Sequence, residues 1–66
     1  MYIGEFSKLT GTTPKTIRFY ESIGLLPEPL RRGKFRVYNN TYIETVIQIK
    51  MAQELGFKLS EIKSYM

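Results

Sequence analysis

The sequence contains neither cysteine nor histidine among its 66 residues. Disulfide bonds are therefore excluded, and so are metal sites built from thiolate or imidazole ligands. The segment GTTPK at residues 11–15 also lacks the spacing of a phosphate-binding P-loop. With no recognisable catalytic set, the sequence argues against an enzyme, and we expect no cofactor in this chain.

Long apolar runs are also missing, since no segment approaches the roughly 18 residues of a membrane span. The start, MYIGEFSK, has no basic segment followed by an apolar one, so it does not resemble a signal peptide. We therefore expect a soluble protein of the cytoplasm with no membrane partner. The length allows one small domain with a thin core, and a hydrophobic fraction of 42% argues against disorder.

The positive charge is concentrated in the first half of the chain. The net charge is +4, yet residues 8–36 carry seven basic side chains against two acidic ones, while residues 37–66 carry three of each. Clustered cations are typical of a surface that meets a polyanion. A basic surface that only maintains solubility is the alternative at this point.

Two helices are predicted on either side of a short glycine turn. The first covers Gly4–Thr10, and Gly11 suits the left-handed backbone that ends many helices. Thr13 is a good N-cap and Pro14 suits the first helical position, so the second helix begins there and runs to residue 22 or 23. Two helices joined by three residues must cross steeply, which indicates a helix-turn-helix with the small residue Ser7 at the crossing.

The second helix is then the recognition helix, which enters the major groove of duplex DNA. Lys15 and Thr16 lie at its start, and Arg18 follows one turn later, where an arginine can bind a guanine edge or a phosphate. Phe19 and Tyr20 are adjacent, so they point about 100° apart on a helix and only one can be central to the core. The other lies at the boundary, where it can reach a ligand.

A short β-hairpin is predicted next, because Pro27 and Pro29 prevent a helix. Apolar and basic residues alternate there around a turn near Gly33. The hairpin carries four cations: Arg31, Arg32, Lys34 and Arg36. A basic hairpin after a helix-turn-helix is what a winged helix places over the DNA backbone or minor groove.

A second helix pair follows the hairpin. Thr41 and Glu44 have the spacing of a capping box, and the helix after them ends at Gly56. Its predicted apolar face comprises Ile43, Val46, Ile47, Met51 and Leu55. A last helix begins near Leu59, with Leu59, Ile62 and Met66 on one face. We predict one mainly α domain over residues 1–66, divided into a helix-turn-helix (3–23), a wing (27–38) and a helix pair (41–66).

Three segments, YIGEFSKLTGTTPKTIRFYESIGLLPEP, FRVY and AQELGFKLSEIKSYM, resemble the N-terminal DNA-binding domain of the MerR family of bacterial regulators. The resemblance covers the chain in order and implies a winged helix-turn-helix. It implies DNA contacts by Lys15, Arg18, Phe19 and Tyr20, and by the wing residues Arg36 and Tyr38, with Gln53 as a weaker match. The candidate DNA-binding residues are thus Thr13, Lys15, Thr16, Arg18, Phe19, Tyr20, Arg31, Lys34, Arg36, Tyr38 and Gln53.

Two positions depart from the family pattern. The wing usually reads Gly-Tyr-Arg-x-Tyr, but here Lys34 is inserted after the glycine. Such an insertion can shift the turn by one residue, and the direction of the Arg36 side chain is then not fixed by the family pattern. Lys58 stands where the family often has the serine that begins the last helix, and lysine is a poor N-cap.

The resemblance further implies a homodimer that binds an inverted-repeat promoter operator. In the family, the dimer remodels an over-long promoter spacer so that RNA polymerase can use it. The dimer helix and the effector-binding part that follow this domain in the family are absent, so the effector is unknown and we expect a monomer. The alternatives are an excisionase-like architectural DNA-binding protein and, from another class, a protein-interaction module that uses Phe19 and Tyr20.

Overall fold

A computed structural model of the chain describes residues 1–65. Four helices and one hairpin follow in the order α1 (Ile3–Thr10), α2 (Pro14–Ser22), β1 (Leu30–Arg32), β2 (Phe35–Val37), α3 (Thr41–Glu54) and α4 (Leu59–Ser64). The predicted fold class is confirmed: a mainly α winged helix-turn-helix with a β-hairpin wing and a second helix pair. None of the helices within residues 1–65 is long and apolar enough to cross a membrane.

The helix-turn-helix forms through local signals. Gly11 has φ +68, and the N–H groups of Gly11 and Thr12 donate to the carbonyls of Lys8 and Ser7, which closes the C-terminus of α1. The Thr13 hydroxyl accepts the Thr16 N–H at 3.2 Å and caps α2. Ser7, the small residue predicted where the two helices meet, is buried.

The wing is a two-stranded antiparallel hairpin in which Leu30 pairs with Val37, Arg31 with Arg36, and Arg32 with Phe35. Its turn has only two central residues. Gly33 has φ +63 and Lys34 does not have a positive φ, as in a type II′ turn. The additional Lys34 is therefore the second turn residue, and Arg36 stays within the ladder.

The first residues of the chain pair with the end of the wing. Tyr2 forms a β-bridge to Val37, and the Tyr38 N–H donates to the Met1 carbonyl at 2.6 Å. The Tyr38 ring also stacks on Phe6 of α1, with centroids 4.5 Å apart. The wing is thus fixed to the helices at its C-terminal end.

A single core joins the elements. Its buried members are Phe6, Ile17, Tyr20, Leu25, Leu26, Tyr38, Val46, Ile49 and Ile62. The predicted apolar face of α3 is wrong for Ile47, Met51 and Leu55, which are exposed at 38%, 56% and 78%, whereas Ile49 is buried. The apolar face predicted from the spacing is rotated about the helix axis relative to the face of α3 that packs against α1 and α4.

The starts of the last two helices also differ from the sequence pattern. The predicted capping box of Thr41 and Glu44 is wrong, because Thr41 is already helical and its N–H donates to Asn39 Oδ1 at 3.0 Å. Lys58 has no acceptor for a free N–H, but its own N–H donates to Glu61 Oε1 at 3.0 Å. The predicted role of Met66 lies outside the described residues.

Candidate nucleic-acid interface

The outward face of α2 carries the predicted cations. Lys15, Arg18 and Phe19 are exposed, and Arg18 and Phe19 follow Lys15 by three and four residues, about one helical turn. Phe19 is 48% exposed, which is unusual for a large aromatic side chain. At the start of the helix, the hydroxyls of Thr13 and Thr16 lie 3.0 Å apart. Charge, an aromatic ring and hydroxyl groups are thus presented together on one helix.

Tyr20 points the other way. Its side chain is 3% exposed, and its hydroxyl donates to Gln53 Oε1 at 2.7 Å. Burial raises the pKa of Tyr20 above its ordinary value. The burial does not favour the predicted direct contact of Tyr20 with DNA, since the ring supports the core and the hydroxyl orients Gln53. Phe19 is therefore the aromatic residue of this pair that can meet a ligand.

The wing presents its cations around the turn. Arg31, Arg32 and Lys34 are exposed, and Arg36 is partly buried. Because Arg31 and Arg36 are direct cross-strand partners, two like charges stand opposite each other, an arrangement that destabilises a hairpin unless an anion compensates it.

Glu21 supplies one such anion. Its Oε1 accepts from Arg36 Nε at 3.2 Å, and its Oε2 accepts from the Tyr38 hydroxyl at 2.5 Å. Tyr38 is buried, which raises its pKa, and the hydrogen bond and charge of Glu21 raise it further. As with Tyr20, this burial does not favour the predicted direct contact of Tyr38 with DNA.

Sequence reasoning missed two residues of this region. Glu21 gave no sign of a partner in the sequence, because Arg36 and Tyr38 are 15 and 17 residues away. Lys50 was also missed: its Nζ donates to the carbonyl of Gly11, across 39 positions, and ties α3 to the helix-turn-helix. Only the fold reveals either contact.

Two open grooves flank α2 and gather most of the candidate residues. The groove towards the wing is lined by Arg18, Glu21, Ser22, Glu28, Arg31 and Arg36. The groove towards α3 is lined by Gly11, Thr12, Thr13, Thr16, Tyr20, Lys50, Gln53 and Glu54. Lys15, Phe19, Lys34 and Tyr38 line neither. Within residues 1–65, no cluster of carboxylates is placed to hold a metal ion.

Comparisons with known proteins agree with this architecture. The family described as "MerR HTH family regulatory protein" matches residues 1–66. The mercuric resistance operon regulatory protein of Bacillus cereus is 46% identical over 61 residues, which cover 91% of this chain and 46% of that protein. The ZntR homolog of Haemophilus influenzae, an HTH-type transcriptional regulator, is 45% identical over 65 residues, covering 97% of this chain and 48% of that protein.

A solved structure is similar over the same region. The transcription regulator PbrR691 from Ralstonia metallidurans CH34, in complex with lead(II), has a TM-score of 0.88 and 38% identity, covering 98% of this chain and 51% of that chain. The chain thus spans about half the length of the relatives it matches. With its wing, its helix-turn-helix and a family match over its whole length, the chain belongs to the MerR HTH family of regulatory proteins, in which this domain serves DNA binding in transcription regulation and not catalysis.

Proposed function

We propose that the domain binds duplex DNA sequence-specifically, as the operator-binding part of a MerR-type regulator. In this proposal α2 enters the major groove and the wing lies over the neighbouring backbone. The observation that carries it is the exposed face of α2, where Lys15, Arg18 and Phe19 stand beside a groove that contains two more arginines.

The exposure of each candidate side chain indicates whether it contacts DNA directly. Lys15, Arg18 and Phe19 face the bases and the nearest phosphates, while the wing residues Arg31, Lys34 and Arg36 face the neighbouring backbone. Thr13, Thr16 and Gln53 line the other groove, where their hydroxyl and amide groups can donate to the second strand. Tyr20 and Tyr38 act from the core, through the hydrogen bonds to Gln53 and Glu21.

The proposal also concerns the whole regulator, of which these 66 residues are the DNA-binding part. We propose that two copies bind an inverted-repeat promoter operator in the bacterial cytoplasm and that segments outside this chain join them. The dimer remodels the promoter spacer and affects RNA polymerase indirectly, through the DNA. Metals named for the relatives would have to be sensed outside this chain if the ligands are thiolates or imidazoles, because it contains no cysteine or histidine.

The test is binding to duplexes selected from a random-sequence pool. Affinity should fall steeply with added salt, because each phosphate contact releases counterions. Replacing Arg18 by Ala should weaken binding by about 1–3 kcal/mol if the guanidinium binds a base. Lys63→Ala is the matched control, since Lys63 lies on α4 and lines neither groove. A flat salt dependence would favour the protein-interaction module instead.

A further inference from the structure

Glu21 occupies an unexpected place for an acidic residue. It lies in the last turn of α2, on the groove that the recognition helix shares with the wing. A carboxylate at this position repels a phosphate backbone, and so needs a structural reason to be there. From its contacts we infer that Glu21 is a positioning residue, which holds the wing's Arg36 beside α2 in the orientation that binds a DNA phosphate. This inference rests on the proposed function.

The Glu21 carboxylate is itself held in place by a residue of the core, Tyr38. Its side chain is only 10% exposed, and Oε2 accepts the hydroxyl proton of Tyr38 at 2.5 Å. The Tyr38 ring is stacked on Phe6, and its backbone N–H bonds to Met1. Because Tyr38 is fixed at both its ring and its backbone, Glu21 has a fixed donor and can present Oε1 in one direction.

That direction sets the orientation of Arg36. Oε1 accepts from Nε, the inner nitrogen of the guanidinium, so the planar group cannot rotate freely. Among residues 1–65, no acceptor receives a hydrogen bond from the two terminal nitrogens of Arg36. The side chain remains 29% exposed. A guanidinium held in this way presents its free N–H groups to solvent, and these suit a phosphate.

The charges of the groove leave room for an anion. Arg31 stands opposite Arg36 in the hairpin, and Arg18 lies one turn before Glu21 on α2. Together with Glu28, the groove holds three guanidinium groups and two carboxylates. It is therefore net positive although Glu21 is present, and a backbone phosphate would relieve the repulsion between the two wing arginines.

Whether Glu21→Ala strengthens or weakens DNA binding tests the inference. Removing a negative charge from a DNA-facing groove should ordinarily strengthen binding. If Glu21 positions Arg36, Glu21→Ala instead weakens binding to the selected duplex by about tenfold, and the salt slope falls by about 0.9, the share of one phosphate. Glu28→Ala is the matched control: it removes the same charge from the same groove and should leave binding unchanged or stronger.

Three further variants complete the test: Arg36→Ala, the double variant with Glu21→Ala, and Arg36→Lys. In the background of Arg36→Ala, the Glu21→Ala change should cause no additional loss. Arg36→Lys keeps the positive charge and leaves Glu21 intact, so it tests the inference even if Glu21→Ala does not fold. If the oriented guanidinium is what binds the phosphate, Arg36→Lys should bind DNA as weakly as Arg36→Ala does. Wild-type affinity of Arg36→Lys, or tighter binding by a folded Glu21→Ala, overturns the inference. Absence of salt-dependent duplex binding by the wild type contradicts the proposed function instead.

Discussion

At the scale of single residues, Phe19 and Tyr20 show how neighbours acquire different roles. The helical angle between them predicts that one lies at the boundary of the core, but it does not say which. Tyr20 lies one turn after the fully buried Ile17 and therefore shares the face of α2 that packs on the core. Its hydroxyl donates to Gln53, 33 positions away, while Phe19 takes the exposed position.

A matched pair of variants separates these roles. Phe19→Ala should lower DNA affinity and leave the free energy of unfolding nearly unchanged, because the ring is half exposed. Tyr20→Phe keeps the buried ring but loses the hydrogen bond to Gln53, so it should destabilise the fold by about 0.5–1.5 kcal/mol. Urea denaturation and fluorescence anisotropy with a selected duplex measure the two effects. A strong loss of stability in Phe19→Ala would contradict this division.

At the scale of elements, the turn between α1 and α2 requires a glycine at position 11. Gly11→Ala should destabilise the domain by about 1–2 kcal/mol, because φ +68 is costly for any residue with a Cβ. The added carbon would also lie 3.0 Å from Lys50 Nζ, which binds the Gly11 carbonyl. Chemical denaturation measures the loss.

Gly4→Ala is the control for the turn. Gly4 lies within α1 at a negative φ, and a Cβ there meets no atom within 4 Å. Alanine is the better helix former, so this change should stabilise the fold by a few tenths of a kcal/mol, up to about 1. Equal losses in Gly4→Ala and Gly11→Ala would show that the backbone of the turn is not the cause.

The elements also show which parts of the fold a sequence can predict. Gly11, Thr13 and Pro14 act on neighbouring backbone groups, and the helix ends they predict are confirmed. The capping box predicted at the start of α3 was wrong, because the Asn39 side chain accepts the Thr41 N–H that the box would give to Glu44. The candidate site divides in the same way: exposed cations could be proposed from the chain, whereas the contacts of Glu21 and Lys50 depend on segments that meet only in the fold.

At the scale of the whole molecule, the two buried tyrosines link stability to pH. Burial raises the pKa of Tyr20, and burial together with Glu21 raises the pKa of Tyr38. The unfolded chain loses these phenolic protons near pH 10 at about the ordinary value, while the folded chain retains them. The stabilisation is therefore complete below that pH and is lost as the pH rises through the folded-state values.

Comparison with Tyr38→Phe isolates the effect of one tyrosine from that of the lysines. The free energy of unfolding of the wild type should exceed that of Tyr38→Phe near pH 8, and the difference should narrow as the pH rises above about 10. Urea titrations at a series of pH values measure it. A difference that stays constant with pH would mean that the Tyr38 proton is not involved.

The bridge between Tyr2 and Val37 has a consequence for the order of assembly. The helices and the hairpin form from contacts close in the chain, whereas this bridge closes a loop of some 35 residues, which costs chain entropy before its bonds form. Helices of eight and nine residues are only marginally stable alone, so α1 and α2 are expected to persist only once the core has formed around them. The closing of the loop brings Tyr38 onto Phe6, and the same step sets the angle at which the wing stands beside α2.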